Sequence, residues 1–126
     1  MAELVLFVLL VSLVMYAVFG GADFGAGMIE PFIREREDID VALAPVWEAN
    51  HVWLVLALVL AFVGFPELYS LSTTYLHIPL LGVLLGIVAR GTAFTFRHYD
   101  PEPGKLAPWY TAAFRAGSIL TPLCLG

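Results

Sequence analysis

The stretch Pro45-Val46-Trp47-Glu48-Ala49-Asn50-His51-Val52-Trp53 runs straight into Leu54-Val55-Leu56-Ala57-Leu58-Val59-Leu60-Ala61-Phe62-Val63-Gly64-Phe65. The second half has no polar side chain and is suited to lipid. The first half carries a carboxylate, an amide and an imidazole within about one helical turn, framed by two tryptophans. Proline costs nothing at the first position of a helix, so Pro45 is predicted to open this one. Ionisable groups that enter a membrane span are expensive, and their presence points to function.

The whole chain has the same character. It is 60% hydrophobic and only 13% charged, which a soluble domain of this size could not hide. The fold class expected is all-α, a polytopic transmembrane helix bundle forming one domain over 1–126. Three full spans are expected at about 4–29, 46–65 and 75–96, and a fourth, cut short, at 108–126. The single cysteine, Cys124, allows no internal disulfide. The net charge of -5 is largely local, because Glu30, Glu35, Glu37, Asp38 and Asp40 sit together in a charged segment at 31–43 or at its edge. No basic patch suggests a nucleic-acid partner.

The basic residues set the orientation. Arg34, Arg36, Arg90, Arg97, Lys105 and Arg115 all lie in, or next to, the first and third connections, and none lies in the outer connection at 66–74. By the positive-inside rule the first and third connections face the cytoplasm and the N-terminus faces out. Glu3 stands where a signal peptide would carry Lys or Arg, so no cleaved leader is expected.

Asp23 lies among Gly20, Gly21, Gly25 and Gly27, about 30 Å from Glu3 along the first helix. Gly21 and Gly25 form a GxxxG pair, as do Gly82 and Gly86 further on, and either pair would let another helix approach closely. Antiparallel first and second helices would bring Asp23 and Glu48 to similar depth. Glu48 and His51, three apart, share a helix face. Asp23, Glu48 and His51 are therefore the candidates for a proton relay. Arg90 needs an acid in so apolar a helix, and Asp23 and Glu48 are its candidate partners by depth.

Four motifs resemble a known family: Gly21-Ala22-Asp23-Phe24-Gly25-Ala26-Gly27, PVWEANHVW at 45–53, FPELY at 65–69 and RGTAFTFRH at 90–98. In order and spacing the chain resembles the N-terminal part of subunit II of the cytochrome bd-type quinol oxidases. The resemblance implies a multi-pass subunit of the bacterial or archaeal cytoplasmic membrane. It would serve respiratory electron transport, in an enzyme that oxidises quinol and reduces oxygen to water. It implies a heterodimer with a haem-bearing subunit I, with haems b and d in that partner and none bound by this chain. It also implies a cytoplasmic proton path whose acids correspond to Glu48 and the neighbourhood of Asp23. Many members have aspartate where this chain has Glu48, and some have an acid where it has Gly20. Typical subunits of this kind run far longer.

Three other readings remain open on the residues alone. Glu48-Ala49-Asn50-His51 fits the Glu-x-x-His pattern of di-metal bundles, but such a site needs two copies and two further carboxylates. His51, His77 or His98 could each ligate a haem, since an axial ligand needs one residue. A transporter fragment would show helix breaks near the midplane, and none is visible in the sequence.

Overall fold

A computed structural model describes residues 1–33, 36–99 and 107–126; of residues 36–40, 98 and 107 it describes only the backbone. The chain folds as α1 (Ala2–Ile29), a 3-10 turn (Glu30–Phe32), α2 (Arg36–Gly64), α3 (Pro66–Tyr75), α4 (His77–Tyr99) and α5 (Ala107–Leu125). Among the described residues there is no strand. By length and composition Ala2–Phe32, Val41–Gly64 and His77–Arg97 can each cross a membrane. Residues 34–35 of the first connection and 100–106 of the third lie outside the described residues.

Two boundaries differ from expectation. The second helix does not begin at Pro45 but at Arg36, and the proline sits inside it. An interior proline frees one backbone carbonyl and clashes with the preceding turn, yet membrane helices tolerate it where neighbouring groups re-satisfy the backbone. The short outer connection is itself a helix, α3, with Pro66 at its start and Glu67 in its first turn. Thr73 and Thr74 donate their hydroxyls to carbonyls one turn back, at Tyr69 and Ser70, which satisfies hydroxyls in an otherwise exposed segment.

The long helices bury polar groups and expose apolar ones. Asp23, Glu30, Asn50, Arg90, Ser118 and Thr121 are buried, while Phe7, Val14, Val18, Val55, Phe62, Leu84 and Val88 are exposed. In water this would be inside out. In lipid it is the stable arrangement, since hydrocarbon solvates the leucines and valines and the buried charges pair with one another internally. α4 packs along α5, α1 along α2, and α1 also meets α5. Leu43, Ala93, Phe94 and Phe114 form the apolar core between them.

The two GxxxG pairs behave differently. A Cβ on Gly82 would come within 2.6 Å of Cys124 Sγ, and one on Gly86 would collide with Thr121. These two glycines let α5 lie directly on α4. Gly21 and Gly25 have nothing near them and look away from the bundle. The close approach on α1 is made instead by Gly27, where a Cβ would collide with Ser118.

Candidate functional site

The site grows from one expensive residue. Arg90 lies on α4, 2% exposed, and its guanidinium is flat, permanently charged and ready to donate several hydrogen bonds. Nη1 donates to Asp23 Oδ2 at 2.5 Å, Nη2 to the main-chain carbonyl of Asp23 at 2.7 Å, and Nε to Ser118 Oγ at 2.8 Å. Ser118 in turn donates to the Phe114 carbonyl. The rings of Phe24 and Phe114 cover the guanidinium at 5.0 and 4.7 Å from their centroids, a cation–π arrangement that gains strength without water. Asn50 Nδ2 reaches Asp23 Oδ2 at 3.3 Å. One side chain from each of α1, α2, α4 and α5 thus meets at a single buried point.

A second pair lies two turns further on. Arg97 Nη1 donates to Glu30 Oε1 at 2.7 Å, and Glu30 is fully buried. The step from Asp23 to Glu30 equals the step from Arg90 to Arg97, so α1 and α4 run parallel. Phe114 serves both cations, lying 4.7 Å from Arg90 and 4.8 Å from Arg97.

The proposed relay residues are not gathered in one place. Asp23 is buried and ion-paired with Arg90. Glu48 is exposed. The reason is helical phase: Asn50 points inward to Asp23, and Glu48, two positions earlier, is about 200° around the helix. The depth match expected for α1 and α2 is realised, but by Asn50. Of the two acids in reach by depth, Arg90 takes Asp23.

His51 is half-buried between these faces. Its Nδ1 lies 2.8 Å from the Trp47 carbonyl, which can only accept, so Nδ1 carries the proton and Nε2 is left as an acceptor. The ring stands edge-on to Trp47, and Trp47 packs on Phe94. Gly91 lets the tryptophan approach α4 closely. His51 borders two grooves of about 440 and 480 Å³, one toward α4 along Thr92 and Thr95, the other along Val55 and Val59. His77 is exposed and turned to the Thr74 carbonyl; the side chain of His98 lies outside the described residues. Among the described residues no three His, Cys, Asp or Glu side chains converge.

Asn50, Ser118, Phe24 and Phe114 were not singled out from the sequence, nor was the Glu30–Arg97 pair. The last left a trace: acids and arginines each recur at a spacing of seven, in step on two helices.

The family model for cytochrome bd terminal oxidase subunit II matches residues 1–126. The chain belongs to the cytochrome bd terminal oxidase subunit II family. With its apolar helices, this makes it a multi-pass membrane protein. It is 34% identical over 110 residues to cytochrome bd ubiquinol oxidase subunit 2 of Bacillus subtilis (strain 168), covering 84% of this chain and 32% of that protein. It is 30% identical over 120 residues to cytochrome bd-I ubiquinol oxidase subunit 2 of Escherichia coli (strain K12), covering 92% and 31% respectively. A probable cytochrome oxidase subunit 2 of Haemophilus influenzae is 29% identical over 114 residues, covering 87% and 30%. The chain spans about a third of the length of these relatives. No solved structure matches it.

A cytochrome oxidase carries haem, and the described residues of this bd-family chain offer a candidate ligand, His51. His51 offers an imidazole nitrogen, but the grooves on either side of it are open and do not enclose a macrocycle. No haem-dependent step is assigned to this chain.

Proposed function

We propose that this chain is the N-terminal part of subunit II of a bd-type quinol oxidase, embedded in a bacterial or archaeal cytoplasmic membrane with its N-terminus outside. It pairs with a haem-bearing subunit I, which holds haems b and d. The assembly passes electrons from quinol to oxygen, making water. One observation carries this reading: three of the four family-like motifs supply the buried cross-link, with Asp23 from the first, Asn50 from the second and Arg90 from the last.

Within that assembly the chain offers a cytoplasmic proton path toward the oxygen-reducing haem. Glu48 is the proton carrier, because its carboxylate lies outside the salt-bridged core, exposed on α2. His51 Nε2, one turn along, is the next acceptor. Asp23 belongs to the same site as a fixed anchor, held by Arg90 and Asn50. The test is Glu48→Gln in the complete oxidase, with oxygen consumption measured against haem content. Turnover should collapse while haem content holds. Normal turnover would remove Glu48 from the path.

A further inference from the structure

Three buried oxygens of α1 and α2 have no hydrogen-bond partner in the protein: Asp23 Oδ1, Asn50 Oδ1 and the Tyr16 hydroxyl. Asp23 is 0% exposed and Asn50 2%. Tyr16, Gly20 and Asp23 lie on one stripe of α1, three and four residues apart. Side chains on a helix lean toward its N-terminus, so the Asp23 carboxylate leans back over the turn that holds Gly20. Asn50 faces that same turn from α2: a Cβ on Gly20 would sit 3.4 Å from Asn50 Oδ1 and 3.6 Å from the Phe24 ring. Glycine therefore leaves a methyl's volume open at position 20, beside the Phe24 ring and one bare acceptor, Asn50 Oδ1.

We propose that this pocket at Gly20 is a binding site for ordered water, which donates hydrogen bonds to Asn50 Oδ1 and Asp23 Oδ1 and continues toward Tyr16. Buried acceptors are satisfied in native proteins, by water when no protein donor reaches them. The occupant is a neutral donor and not a cation. Arg90 already balances the Asp23 charge, and a second cation beside the guanidinium would meet repulsion. An apolar side chain at position 20 would occupy the volume that the water needs and offer no donor in its place. The site would form whether or not Glu48 carries protons.

The sign of one substitution tests it. In a helix interior, Gly→Ala raises stability when the methyl meets only ordinary contacts, and the contacts at Gly20 are ordinary. If the methyl displaces water from two buried acceptors, Gly20→Ala instead lowers the melting temperature of the purified complex, and Gly20→Ser, whose hydroxyl can donate to Asn50, restores it. A melting temperature that is unchanged or raised by Gly20→Ala would overturn the proposal. So would wild-type stability that depends on sodium against choline at fixed ionic strength and loses that dependence in Gly20→Ala, because the occupant would then be a cation. High-resolution electron cryomicroscopy of the wild-type complex gives a reading independent of mutant folding. Density within hydrogen-bond distance of Asn50 Oδ1 and Asp23 Oδ1 is expected, and ordered side chains with no such density would refute it.

Discussion

Arg90 grips Asp23 twice, once at the carboxylate and once at the main-chain carbonyl of the same residue. The side-chain contact neutralises a charge. The main-chain contact draws on a carbonyl in the last turns of α1, so the guanidinium also fixes the backbone position of that helix. A lysine has one compact ammonium and could not span both oxygens while still reaching Ser118.

Removing the arginine should therefore cost more than an ion pair. Arg90→Ala strands a buried carboxylate, a change worth about 3–5 kcal/mol. The expected outcome is loss of assembled subunit from the membrane, read by immunoblot and haem content together. Arg90→Lys should recover only part of it.

Asp23→Asn separates an anchor from a carrier. It keeps the shape and the amide contact to Asn50 but leaves the Arg90 charge uncompensated in the core. As an anchor, Asp23→Asn should assemble poorly, with whatever assembles turning over normally per haem. Normal assembly with low oxygen consumption per haem would instead make Asp23 a carrier.

For Glu48→Gln the pattern should invert. The side chain is exposed on α2, so stability should move by no more than about 0.5 kcal/mol. Loss of a positioned proton donor typically slows the step by about 10²-fold or more, visible as a fall in oxygen consumption at constant haem content.

Phe114 is shared by both arginines, so its loss should exceed that of an ordinary core aromatic. Phe114→Ala should destabilise by at least the about 3–5 kcal/mol typical of a buried phenylalanine, with cation–π losses added. Phe114→Tyr keeps the ring and should be far milder. Equal effects from the two in a thermal melt would argue against the ring-face contacts.

Much of this architecture is legible in the sequence. The apolar runs at 4–22 and 54–65 give the spans, because only helices satisfy their own backbone in lipid. Asp23, Glu48 and Arg90 stand out because charge is scarce there. The limits of that reading are also physical. Pro66 follows the end of α2 at Gly64 and opens α3, whereas Pro45, which looks like a helix start, lies inside α2, because a proline's effect depends on which neighbours satisfy the backbone it frees. Gly21 and Gly25 have the spacing of a contact but face away from the bundle, whereas Gly27, outside any pair, makes the contact. Spacing defines a face of a helix, and only packing decides which way that face turns. Asn50 does not stand out beside Glu48 for a similar reason: two positions of helical phase send one inward and the other out.

The equal seven-residue steps on α1 and α4 bear on how the subunit is assembled. A pair of parallel helices with a single charge contact could slide until any acid found any arginine. Here a slip of two turns would match Asp23 with Arg97, carry Glu30 past the end of α4 and leave Arg90 in the span without a counter-ion. Native alignment is the one that satisfies both acids and both bases at once, so the doubled pair works as a vernier, rejecting the misaligned insertion that one pair alone would accept.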